Sequence, residues 1–252
     1  MGLLTVFSAK GGCGASLIAT NLAVSLARAA PTVLIDLHAQ QGTDDLLLDL
    51  RPDHAWPELL PVAHELTDRH IELAGCRNAE GLVLLAAPAS LPADSTQDLR
   101  TRTLLEALAR RAVWVVIDAP SGIWSPACAE ISDAQLLVTT ADPPALRCAR
   151  RLLQSRPPAA DSRVGLVLNQ FGRGQPASAS EVAASLDCPL LAAVPVDPRG
   201  VGYQVNFGHP CALDRQSALG RSMMTLARRL AAGGSRRGEG SPALATTAGR
   251  SR

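Results

Sequence analysis

Lysine is almost missing from this sequence: of its 24 basic residues 23 are arginine, and the single lysine is Lys10, inside a glycine-rich stretch. Charge of one sign is missing as well. A net charge of +1 with no dominant run gives no electrostatic case for a nucleic-acid or acidic-lipid partner, so no direct nucleic-acid contact is expected. No apolar run approaches the ~20 residues that a membrane-spanning helix needs. That excludes crossing a bilayer and leaves peripheral association open. The six cysteines (Cys13, Cys76, Cys128, Cys148, Cys188, Cys211) form no C-x-x-C pair and have no histidine at metal-ligand spacing. In a chain without a signal peptide they read as reduced thiols of a cytoplasmic protein.

What is present is a 47% hydrophobic content over 252 residues, enough for one substantial core. Short β-branched and leucine-rich runs alternate with Ala/Leu/Arg segments. This pattern predicts an α/β fold, a mostly parallel, doubly wound sheet with helices on both faces. Strands are predicted at Leu3–Ser8, Thr32–Leu37, Leu82–Ala87, Val113–Asp118, Leu136–Thr140, Val164–Asn169 and Leu190–Val194. Helices are predicted at Ser16–Ala30, Thr96–Arg111, Pro144–Gln154, Ala179–Leu186 and Ser217–Ala232. A nucleotide-binding domain over residues 1–232 is expected with no receiver-like unit before it, and a disordered Gly/Ser/Arg-rich tail over 233–252.

The first strand runs into Ala9-Lys10-Gly11-Gly12-Cys13-Gly14-Ala15-Ser16-Leu17, and an apolar helix follows at once. Strand, glycine loop and helix together make a phosphate cradle. Glycines let successive N–H groups converge on one phosphate, and the helix N-terminus adds about half a positive charge. Ser16 stands where a hydroxyl ligates Mg²⁺. Cys13 is either a small filler or a thiol that bound nucleotide would cover. Val115-Val116-Ile117-Asp118-Ala119-Pro120-Ser121-Gly122 is an apolar strand ending in an acid, where Asp118 either reaches a Mg²⁺-bound water or caps the next turn.

The loop resembles the deviant Walker A motif K-G-G-x-G-K-[ST] of the ParA/MinD superfamily, and the Asp118 segment resembles its D-x-P-x-G turn. The resemblance implies a P-loop fold binding ATP or ADP with Mg²⁺, and a homodimer in which Lys10 reaches the partner's phosphates. It also implies that Asp36-Leu37-His38-Ala39-Gln40-Gln41-Gly42 matches I-D-x-D-x-Q-x-G, where the second acid orients the attacking water. That acid is His38 here, which is either a substitute proton acceptor without negative charge or a bystander in a loop. Asn169 and the Pro195–Asp197 segment match the adenine-binding positions, or are ordinary loops.

Ala15 replaces the motif's second lysine. The resulting K-G-G-x-G-A resembles the CpaE/TadZ group, as do D-x-R-P-D-H at Asp49–His54, V-T-T-A-D-x-P-x-L-R-x-A-R-R at Val138–Arg151 and a Gly/Pro segment near Pro210. That narrower resemblance implies a nucleotide-switched dimer positioning pilus or secretion assembly proteins, at a pole or the inner face of the membrane. The alternative is an active ATPase in chromosome partition or septum placement. A lost lysine–phosphate bond weakens binding by about one to two decades, and losing transition-state charge costs about 10³–10⁵ in rate. Binding is therefore expected to outlast catalysis by Lys10, Asp36, His38 and Asp118. An electron-transfer relative bridging a cluster needs a second cysteine beside Cys128, and none is suitably placed.

Overall fold

The computed structural model describes residues 2–39, 41–90, 99–157, 163–172 and 174–234. Eight strands form one sheet: β1 Gly2–Ser8, β2 Thr32–Asp36, β3 Cys76–Arg77, β4 Val83–Leu85, β5 Trp114–Asp118, β6 Ala134–Thr139, β7 Val164–Leu168 and β8 Leu190–Ala193. Their order is β3-β4-β2-β5-β1-β6-β7-β8. All pairings are parallel except the two-residue edge strand β3, which runs antiparallel to β4. The mostly parallel, doubly wound sheet expected from the alternating pattern is the sheet observed.

The period of two along each strand divides the core. Leu3, Phe7, Val33, Ile35, Val115 and Ile117 face one cluster, while Leu4, Val6, Leu34, Val116 and Val138 face the other. The second cluster is covered by α1 (Ala15–Ala27) and by the last helix, Ala218–Gly234, which packs against α1 as its apolar spacing predicts. Helix α1 is buried almost all round, including Ile18, Ala19, Leu22, Ala23 and Val24. The phosphate-loop helix is thus clamped between the sheet and another helix.

Remaining helices are α2 (Asp44–Leu47), α3 (Asp68–Ala74), α4 (Leu99–Ala109), α5 (Pro126–Ile131), α6 (Pro143–Gln154), α7 (Ala179–Ser185), α8 (Pro198–Phe207) and α9, the last one. The pattern of the sequence missed β3, α2, α3, α5 and α8. Each is too short, or too dependent on a cap, to show a period: Ser125 caps α5 and Asp197 caps α8 through side-chain oxygens. Trp56–Glu65 forms a 3₁₀ turn run with Pro61 inside it, as expected where proline removes the α-helical donor. Gly233 and Gly234, assigned to the tail by composition, continue α9. The expected disorder falls on 235–252, and the start of the predicted helix on 96–98; both lie outside the described residues.

Candidate functional site

The loop leaves β1 at the middle of the sheet, where β5 lies on one side and β6 on the other, so it opens at a switch point at the carboxyl ends of the strands. Gly12 and Gly14 take φ of 85° and 88°, a left-handed backbone that side chains resist by about 1–2 kcal/mol. Gly14 is the N-cap of α1 and no side chain caps the helix. Its first-turn N–H groups therefore keep their donor capacity for a ligand. Cβ atoms built on Gly11 or Gly12 meet nothing within 4 Å, so open space faces the loop there. At Gly14 a Cβ would lie 2.4 Å from Asn169 Nδ2.

That contact explains Asn169. Its amide donates to the Cys13 carbonyl at 2.9 Å and its Oδ1 accepts from the Gln170 N–H at 2.9 Å. The side chain anchors the phosphate loop across 156 residues of sequence. Cys13 is 1% exposed and packed in the core around α1, so it serves the loop through its backbone, and its thiol is a filler. The methyl of Ala15 belongs to the same core, while Ser16 and Leu17 are half-buried on the first turn. Lys10 Nζ donates to the Gly11 carbonyl at 3.1 Å, curling back on its own loop, and the Ser8 hydroxyl donates to the Lys10 carbonyl at 2.9 Å. Pro195 is exposed. Asp197 spends its carboxylate on caps, accepting from Gly200 N (2.9 Å), Ser217 Oγ (2.6 Å) and Leu219 N (3.2 Å). It ties α8 to α9.

Beside the loop, strand pairing sets Asp36 directly opposite Asp118 at the ends of β2 and β5. Asp36 Oδ1 accepts from the His38 N–H at 2.9 Å, and its Oδ2 from the N–H groups of Thr43 (3.1 Å) and Asp44 (3.4 Å). This carboxylate folds the turn that returns the chain into α2. His38 Nδ1 stands 3.1 Å from Asp36 Oδ1 and 3.3 Å from Asp118 Oδ2. Burial works against the imidazolium, but the Asp36 hydrogen bond and the charges of Asp118 and Asp36 outweigh it and raise its pKa. Neither Asp118 oxygen accepts a hydrogen bond of normal geometry. Burial, opposed by His38 and reinforced by Asp36, with the Ser16 hydroxyl favouring the anion, pushes the Asp118 carboxyl up to about 7.

Sequence reasoning missed Asp44. It is fully buried with both oxygens unpartnered, and burial first, then the charges of Asp118, Asp36 and Asp45, hold its carboxyl well above the ordinary range. The only signal available was a pair of acids, Asp44-Asp45, which reads as an ordinary helix start. Three acidic side chains and one imidazole thus gather at the ends of β2 and β5, with the hydroxyl of Ser16 beside Asp118. Orphaned, buried carboxylate oxygens beside an uncapped helix start and open, left-handed glycines suit Mg²⁺ and a phosphate. Ser16 and Asp118 are the groups that would hold the ion.

No family model matches the sequence. Among proteins of known name, the chain is 28% identical over 238 residues to the septum site-determining protein MinD of Synechocystis, covering 90% of this chain and 88% of that one. Among solved structures, a ParA family ATPase from Chlorobium tepidum superposes with a TM-score of 0.80 at 20% identity, over 90% of this chain and 98% of the other. MinD of Pyrococcus horikoshii, solved with Mg-ADP, gives 0.75 at 19% identity, over 90% and 95%. No helix among the described residues is long and apolar enough to cross a membrane. The chain is thus similar in sequence to MinD and in fold to ParA and MinD structures, and these likenesses do not support the narrower CpaE/TadZ resemblance.

Proposed function

We propose that this chain is a nucleotide-binding, dimerising P-loop protein of the ParA/MinD kind, which acts in partition or septum-site placement and hydrolyses ATP slowly. The observation that carries the reading is the uncapped start of α1 behind two left-handed glycines, with the unpartnered, buried Asp118 carboxylate beside it. The similarity to MinD over nine-tenths of the chain supports partition or septum placement over pilus positioning. The pilus reading rests on Ala15 and the short segments at Asp49–His54, at Val138–Arg151 and near Pro210, and a neighbouring secretion-ATPase gene, rather than a ParB-like one, would favour it. Peripheral attachment to the inner membrane face belongs to this reading too.

In this site the N–H groups of Gly11 to Ser16 would bind phosphate oxygens, and the Ser16 hydroxyl and Asp118 would hold Mg²⁺, which would neutralise phosphate charge. Asp36 keeps the β2–α2 turn closed over Asp118 through its four hydrogen bonds. Asn169 keeps the loop in its bound shape before the ligand arrives. Lys10 leaves the Gly11 carbonyl for the phosphates of a second copy. With Ala15 in place of a lysine, charge stabilisation within one subunit falls to Mg²⁺ and the backbone.

Equilibrium binding of ATP and ADP with and without Mg²⁺, followed by a turnover assay, tests this. Mg²⁺-dependent ATP binding with turnover well below ordinary ATPases of this fold is expected. Absence of binding at millimolar nucleotide overturns it.

A further inference from the structure

The β2 end carries chemistry that the nucleotide reading does not use. The ligand atoms of Asp36, His38 and Asp118 all lie within 4.8 Å of one another, and His38 Nδ1 points between the two carboxylates. Asp118 is fully buried, neither of its oxygens accepts a hydrogen bond of normal geometry, and Oδ2 lies 3.3 Å from that nitrogen. Asp44, also fully buried and unpartnered, lies beside them, and its N–H donates to Asp36. Buried carboxylates in excess over one imidazole are costly unless a cation compensates them.

We propose that Asp36, His38 and Asp118 form a divalent-cation site of mixed nitrogen and oxygen donors, which prefers borderline ions of the Co²⁺ and Zn²⁺ class to Mg²⁺. The donor set decides the preference. Mg²⁺ selects oxygen ligands and surrenders water reluctantly, whereas imidazole nitrogen favours the later first-row ions. A carboxylate at position 38 would give an all-oxygen site. Histidine there converts it, the β2–β5 register sets Asp36 against Asp118, and His38 reaches both carboxylates from just beyond the end of β2. The imidazole is 18% exposed, which gives the ion a path from solvent.

Asp118 serves both this cation site and the nucleotide reading, so the test uses the full chain without nucleotide, where the two fail separately. Calorimetric titration with Zn²⁺ and Mg²⁺ is paired with the visible spectrum on adding Co²⁺. Expected are one Zn²⁺ site favoured over Mg²⁺ by more than about tenfold, and a Co²⁺ spectrum without thiolate charge-transfer bands. His38→Asp should weaken Zn²⁺ by at least about tenfold and leave Mg²⁺ as tight or tighter. His38→Gln, which adds no charge, should lose Zn²⁺ in the same way. A thiolate band would assign the ion to cysteine and overturn the proposal. So would equal Zn²⁺ affinity in wild type and both variants, or a wild-type protein without preference for Zn²⁺.

Discussion

The phosphate loop and the β2–α2 segment lie side by side at the same end of the sheet, yet they are built on opposite principles. The loop works through backbone: positive-φ glycines, an uncapped helix start and an amide anchor from Asn169. Side-chain identity matters little there, so Cys13 and Ala15 can be given over to the core. Between β2 and α2 everything depends on side chains: Asp36, His38 and Asp44 meet Asp118, and one changed residue alters the charge of the whole cluster. Backbone chemistry tolerates substitution, and side-chain chemistry is redefined by it. The departures from the ParA/MinD pattern therefore leave the backbone of the loop in place and change the charge of the cluster beside it.

The contrast between the two regions breaks most visibly at Lys10, a loop residue whose proposed role, like that of Ser16, belongs to its side chain. Lys10→Ala should abolish ATP-dependent dimerisation in sedimentation while leaving nucleotide-free melting nearly unchanged, because the Lys10 amine donates to the neighbouring Gly11 carbonyl on an exposed loop. Dimerisation like that of the wild type would return Lys10 to a solvated loop residue. Ala15→Lys sharpens the contrast, since it should tighten ATP binding by about one to two decades and recover hydrolysis far less. Turnover equal to an ordinary ATPase of this fold would refute the importance given to position 38.

Gly14→Ala attacks the backbone directly. Strain at φ 88° and the clash with Asn169 should cost about 1–2 kcal/mol, read as about tenfold weaker ATP binding. Unchanged affinity would mean that the cradle does not depend on that conformation. The smallest effect is expected at Asp44. Its raised carboxyl costs nothing below about pH 4, where it is protonated folded and unfolded alike, and costs progressively more as pH rises towards the folded value. Asp44→Asn should thus stabilise the metal-free protein by about 1 kcal/mol, or about 2–4 °C, more at pH 8 than at pH 5. Destabilisation at pH 8 would show that Asp44 is not held against neighbouring charge.

By itself the sequence determined whatever is local. The phosphate loop is one contiguous stretch whose glycines, flanking strand and following helix can be read in order. The sheet's two-sided core is likewise written as short continuous apolar runs, buried on both faces, so the strands at Leu3, Thr32, Val113 and Val164 were legible to within a residue or two. Tertiary structure alone decided what lies across the sheet. The β2–β5 register sets Asp36 against Asp118, the turn closed by Asp36 brings in Asp44 from the next helix, and His38 becomes a bridge between two acids. Asn169 likewise shows as an anchor of the loop only once β7 lies beside β6. Partners separated by 80 or more residues leave no period or spacing in the sequence, because their distance is set by strand pairing and burial.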